Sequence, residues 1–174
     1  MNEQSRKRVA AYLLAISASG FSSWVAYEGF SETPIIPTKG DVPTIGHGST
    51  RYEDGTKVKM TDPPITKQRA EQLARNLMSG DEKQFRASIP GVTLYQEEYD
   101  VYLDFVGQYG IGNWRSSSMR RQIQGGMYEA ACHSLLRWKY AGGYDCSTPG
   151  NRRCYGSWER QLERHDKCIK AQDN

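Results

Sequence analysis

Apolar positions along the chain fall into blocks with different periods. Val9 to Tyr27 is a run of nineteen residues without a charge, fourteen of them apolar and the other five Ser or Gly (Ser17, Ser19, Gly20, Ser22, Ser23). Tyr12, Leu13, Ile16 and Gly20 recur at helical spacing, which predicts a first helix with these four on its packed face. From residue 31 to residue 64 the helical period gives way to Gly, Pro, Thr and charge. Alternation at Lys57-Val58-Lys59-Met60 and a turn at Asp54-Gly55 predict a small antiparallel β-lobe. Thr66 then caps a helix with Ala70, Leu73, Ala74 and Leu77 on one face, a long spine between two lobes. Thr93 with Gln96 three residues on reads as a capping box for a helix through Tyr99, Tyr102, Leu103 and Val106 to Gly107, Gly110 and Gly112. Shorter helices follow over residues 117–124 and 127–140, and a last one over 155–170. This order predicts an α+β fold that is mainly α, with a small β-hairpin lobe and a helical lobe joined by a long helix.

Length and charge add to this picture. At 174 residues one folding unit of this size buries about 70% of its unfolded surface, and the pattern divides it into an apolar segment, residues 1–27, and a domain of residues 28–174. The net charge of +3 is unevenly spread: residues 28–114 carry nine basic and thirteen acidic groups, residues 115–170 eleven basic and five acidic. The basic third suits an anionic polymer or a solvated helix face equally, and no aromatic-basic motif marks a nucleic-acid binder. Arg6-Lys7-Arg8 ahead of the uncharged run is a membrane-directed pattern of borderline strength, barely long enough to span a bilayer and weakened by its Ser and Gly. Ser17-Ala18-Ser19 resembles a small-residue cleavage site. The rival expectation is a buried first helix.

All four cysteines, Cys132, Cys146, Cys154 and Cys168, lie in the last third, without a CxxC. Four cysteines allow three pairings. Cys146 with Cys154 would close a short polar loop, and Cys132 with Cys168 would tie one helix to the last; these two are favoured. A zinc site with His133 or His165 is the competing reading, but the spacings fit no ordinary ligand pattern.

The candidate chemistry lies in residues 27–50, YEGFSETPIIPTKGDVPTIGHGST. Glu28 sits between Tyr27 and Phe30, where partial burial favours the neutral acid, whereas Asp41 sits in a polar turn that keeps it ionised. One acid and one anion are what glycosidic cleavage needs, to protonate the leaving oxygen and to activate water or stabilise positive charge. The plain alternative is a helix end followed by a hairpin. His47 reads as a hydrogen-bonded structural residue ahead of a base or a metal ligand.

E-G-F followed by P-T-I-G-H-G-S-T resembles the catalytic signature of phage-type lysozymes, the endolysins of the glycoside hydrolase family that includes the phage muramidases. Phe105–Arg115, Leu135–Gly143 and Cys154–Arg160 are similar to segments of that family's C-terminal lobe, so the resemblance covers most of residues 27–170. It implies a two-lobed lysozyme fold and hydrolysis of the β-1,4 bond between N-acetylmuramic acid and N-acetylglucosamine in peptidoglycan, with inversion and without metal or cofactor. Glu28 is then the general acid, and Thr44 helps hold the attacking water. The family's usual place for the Asp, roughly six residues before the Thr, holds Thr38 here; the acids between Glu28 and Thr44 are Glu32 and Asp41. Asp41, in a turn between Gly40 and Pro43, is assigned as the second catalytic group, with Thr38 its rival. The same resemblance implies that Gln108 contacts the saccharide and that Arg160 pairs with the catalytic Glu in the substrate site.

The N-terminus is similar to the signal-anchor-release segments of some endolysins. This implies synthesis in the host cytoplasm, export to the inner membrane and periplasm, and transient membrane association through residues 9–27. With no Cys in residues 1–27, a thiol in that segment plays no part in control. A monomer without nucleic acid is expected. The alternatives are a lytic transglycosylase, which would leave anhydro-sugar products, and an inactive peptidoglycan-binding module, which would bind without cleaving.

Overall fold

The structure is a computed structural model describing residues 6–173. The chain forms two compact units, one of residues 17–84 and the other of the residues up to Ile16 with Phe85 onward.

In the first unit, helix α1 (Ala18–Glu28) starts at Ser17, whose Oγ accepts from the Gly20 N–H, and buries Phe21 and Trp24. It stops at Gly29, whose φ of 70° takes the chain out of the helix and into strand β2 (Ser31–Ile35). Strand β3 (Thr44–Gly46) returns antiparallel to β2, pairing Ser31 with Gly46 and Ile35 with Thr44 across an irregular register. Ile45 packs with Val58 and Leu73, and Tyr52 and Ile65 close the edge of that cluster. The Asp54-Gly55 turn forms, with the Asp54 carboxylate accepting from Thr56 N–H and Oγ. Lys57 to Met60 forms no strand: Lys57 makes one isolated bridge to Arg51. Alternation over four residues is too short to hold a strand without a partner.

Helix α2 (Lys67–Ser88) begins where Thr66 Oγ accepts from the Arg69 N–H. Ala70, Leu73, Ala74 and Met78 are buried, whereas Leu77, expected on that face, is 40% exposed. The helix crosses the boundary between the units at Gln84 and Phe85, as a spine does.

The second unit holds the rest. The N-terminal run is not one helix with a packed face. Strand β1 (Val9–Ala10) and a 3-10 turn (Ala11–Leu13) precede the break at Leu14 to Ser17. Tyr12 and Leu13 are 70% and 66% exposed, and Ala11 is buried instead. β1 pairs with β4 (Thr93–Leu94). Arg8 fastens the run further: its guanidinium donates to the buried Glu98 carboxylate at 3.0 and 2.9 Å and lies over the Tyr95 and Tyr128 rings. Thr93 is thereby a strand residue, and helix α3 (Gln96–Ser116) starts later than its sequence suggests, with the Glu98 carboxylate accepting from the Tyr95 N–H. Gly110, with φ 83° and ψ 156°, kinks α3.

Around α3 lie α4 (Ser118–Gln124), α5 (Tyr128–Ser134) with a 3-10 turn (Leu135–Arg137), the β5–β6 hairpin (Tyr140–Ala141 and Tyr144–Asp145) and α6 (Tyr155–Lys170). An aromatic core of Phe85, Tyr99, Tyr102, Phe105 and Trp114 fills this unit, and the Trp114 indole N–H donates to Ser88 Oγ. Trp138 packs edge-on to Phe105 at 4.9 Å. Cys132 pairs with Cys168, tying α5 to α6, and Cys146 pairs with Cys154, closing the loop between β6 and α6.

Candidate active site

Glu28 is the last residue of α1. The hairpin register sets its neighbours, because pairing Ser31 with Gly46 brings the residues just before β2 beside those just after β3. His47 Nδ1–H donates to the Gly29 carbonyl, and its ring lies 5.7 Å from that of Phe30. His47 is 7% exposed and fixes the helix end to the strand end, a structural role. One Glu28 carboxylate oxygen would lie 3.9 Å from a Cβ placed on Gly48. A Cβ there would make an ordinary contact with the carboxylate, so it is the φ of +85° at Gly48 that favours glycine.

The two flanking glycines of T-I-G-H-G therefore serve different ends. Gly46 lets β3 sit directly on α2, since a Cβ at 46 would meet the Ala70 Cβ at 2.9 Å. Gly48, at a φ of +85°, supplies the left-handed turn beside the carboxylate. Ile45 faces the core with no exposure, so alternation along the strand turns Thr44 to the opposite face.

The expected burial of Glu28 is not found: Glu28 is exposed, and Tyr27 and Phe30 are 43% and 41% exposed. Ending a helix on its solvent side, the carboxyl has no apolar lid in its own segment. Asp41 and its rival Thr38 are the two ends of one turn, with the Asp41 N–H donating to the Thr38 carbonyl at 2.9 Å and Gly40 at φ 96°. Both are exposed.

In the other unit, Gln108 lies on α3 with its Oε1 buried and without a hydrogen-bond partner among the described residues. Arg160, on α6, is 6% exposed. Its Nε and Nη2 donate to the Asp104 carboxylate at 3.2 and 2.6 Å. Arg164 donates to the same carboxylate and to the Asp104 carbonyl, while its Nη1 donates to Gln161, which reaches the Leu135 carbonyl. Burial pushes the Asp104 carboxyl up, but the charges of Arg164 and Arg160 and their hydrogen bonds prevail and hold it below its ordinary range. Sequence reasoning passed over Asp104. Its signal was present: an acid inside the apolar run Tyr102-Leu103-Asp104-Phe105-Val106 needs a buried cation. In the same unit, a cavity of about 470 Å³ is lined by Ser117, Arg121, Arg137, Trp138 and Tyr140 among others.

A mainly helical fold whose first long helix ends in a carboxylate, held against the Thr-Ile-Gly-His-Gly end of a hairpin, defines a lysozyme-type glycoside hydrolase. The phage lysozyme family model matches residues 25–166. The chain is 29% identical over 130 residues to the endolysin of Salmonella phage P22, covering 75% of this chain and 87% of that one. It is 30% identical over 144 residues to the SAR-endolysin of Enterobacteria phage PA-2, covering 79% and 84%. It also shares its fold with the solved endolysin from Escherichia coli phage FAHEc1, with a TM-score of 0.75 and 21% identity over 90% of this chain and 94% of that one. The chain belongs to the phage lysozyme family. It is an endolysin, a muramidase-class glycoside hydrolase of peptidoglycan.

Proposed function

We propose that Glu28 is the general acid that protonates the leaving oxygen of the β-1,4 bond between N-acetylmuramic acid and N-acetylglucosamine, and that Thr44 and Asp41 position the attacking water. The carrying observation is the Glu28 carboxylate at the end of α1, beside Gly48 and braced by the His47 bond to Gly29. A saccharide laid over this exposed carboxyl strips it of water, which favours the neutral acid. Water delivered from the opposite face of the sugar gives inversion. Gln108 and Arg160 are assigned to the saccharide; the unpartnered Gln108 acceptor suits a sugar hydroxyl or acetamido N–H.

Residues 1–27 are proposed as an export segment that associates transiently with the inner membrane before residues 28–174 act on the wall as a monomer. The uncharged run Val9 to Tyr27 supports this, as does the kinship with SAR-endolysins. Among the described residues no helix is long and apolar enough to cross a membrane.

The test is clearance of permeabilised Gram-negative cells, with mass spectrometry of the fragments. Glu28→Gln is expected to remove lysis while circular dichroism and the unfolding temperature hold. Asp41→Asn is expected to slow lysis at least 100-fold and Thr38→Ala to leave it near normal. The opposite result would move the second group to Thr38. Reducing muramic ends mark hydrolysis, and anhydro ends would replace it with transglycosylation.

A further inference from the structure

His133 on α5 and His165 on α6 stand 32 residues apart in sequence, yet His133 Nδ1 lies 3.0 Å from His165 Nε2. Their rings are 5.2 Å apart with planes inclined by 39°. The far nitrogen of His133, Nε2, faces the Glu129 carboxylate at 3.8 Å, one turn earlier on α5. We propose that this pair is a divalent transition-metal site, with His133 Nδ1 and His165 Nε2 as ligands and Glu129 orienting His133 from behind.

The distance between the nitrogens decides the chemistry. Two imidazole nitrogens at about 2.0–2.1 Å from one ion are about 2.9–3.4 Å apart for angles between square and tetrahedral, and 3.0 Å falls in that span. A carboxylate on the far nitrogen of a ligating histidine is the usual support for such a ligand. At 3.8 Å Glu129 stands just beyond hydrogen-bond reach, and with the His133 proton on Nε2, the nitrogen on that side, Nδ1 is free to bind. The pair now shares one proton in the hydrogen bond between its facing nitrogens. When an ion enters, that proton passes through solvent to the far nitrogen of its own ring, so two neutral imidazoles bind the ion with no net proton release.

Among the described residues no three His, Cys, Asp or Glu side chains gather as a ligand set. Water therefore completes the shell, and Cu²⁺, Zn²⁺ and Ni²⁺ are the ions that two imidazoles hold well. His133 is largely exposed and His165 half-buried, which leaves an entry path. The ion clips the same two helices that Cys132 and Cys168 join, so its binding is read in stability as well as in spectra.

The full chain with its disulfides intact is titrated with Cu²⁺ under electron paramagnetic resonance and with Zn²⁺ under thermal unfolding. One equivalent of Cu²⁺ is expected to give the hyperfine pattern of two equatorial imidazole nitrogens, and saturating Zn²⁺ to raise Tm by about 5 °C. His133→Gln and His165→Gln should each abolish both effects, and Glu129→Gln should weaken binding about 10-fold. His47 persists in every variant and sets the background. The proposal is overturned if wild type shows no two-nitrogen copper signal, or if the variant carrying both His133→Gln and His165→Gln responds to the metals as wild type does.

Discussion

Asp104 carries a large electrostatic stake, because its carboxylate faces two nearly buried guanidiniums. Replacing it with Asn removes the carboxylate charge that faces the guanidiniums of Arg160 and Arg164, whose side chains are 7% and 3% exposed, and breaking such a buried pair costs about 3–5 kcal/mol. Urea unfolding of Asp104→Asn is expected to show that loss. The pH dependence follows from the direction of the shift. The folded carboxyl is held below its ordinary value of 3.8, so its contribution is complete above the unfolded value and is lost as pH falls through the folded one. Wild-type stability should therefore drop below about pH 4 more steeply than that of Asp104→Asn, as thermal melts between pH 2 and 6 will show.

Among the elements, the β2–β3 hairpin and α2 share one tight contact. Ala at position 46 would put a Cβ 2.9 Å from that of Ala70 at a φ of +66°. Both the clash with a helix that cannot retreat and the left-handed backbone oppose it, at a combined cost of about 3 kcal/mol. Gly46→Ala is expected to lower stability by that amount and, by shifting β3, to slow lysis; denaturation and turbidity assays on one preparation test both. Helix α2 was legible in the sequence because Ala70, Leu73 and Ala74 mark one apolar face, whereas α6 buries Arg160, Gln161, Arg164 and Cys168, a face that no apolar period announces. The start of α3 was not legible, since Thr93 and Gln96 make a sound local cap that loses to the pairing of Thr93 with Ala10.

At the scale of the whole molecule, the two disulfides differ in what they restrain. Cys132–Cys168 closes a loop of 36 residues and Cys146–Cys154 one of 8. The loop-entropy estimate gives about 4 kcal/mol for the first and about 2.5 kcal/mol for the second. Paired Cys→Ala substitutions should follow that order in urea unfolding. The N-terminal run gives a sharper contrast between membrane and folded state. Tyr12 and Leu13 lie at the surface once folded, so Arg at both positions leaves the packing intact. In the membrane the two Arg would cut the uncharged run from nineteen residues to the fourteen of Leu14–Tyr27, short of the roughly 17–25 that a spanning helix needs. Tyr12→Arg with Leu13→Arg is expected to retain the lytic activity of purified protein on permeabilised cells and to lose lysis of the producing cells.

The sequence by itself determined the spine helix, the lysozyme family and the Glu28 to Gly48 stretch, because helical period, turn chemistry and short motifs are written in residues near one another; β1 and the β5–β6 hairpin were not legible, and the helix expected over 127–140 ends at Ser134. It also singled out both cysteine pairings, through the small polar loop between Cys146 and Cys154. Only the tertiary structure decided that the apolar N-terminal run divides between a strand with its 3-10 turn and a helix, that Glu28 is open to solvent, and that Asp104 holds Arg160 and Arg164. A strand partner more than eighty residues away, or a counter-ion 56 residues away, leaves no local trace. Burial of a charge obliges the chain to supply a partner without saying where along it that partner stands.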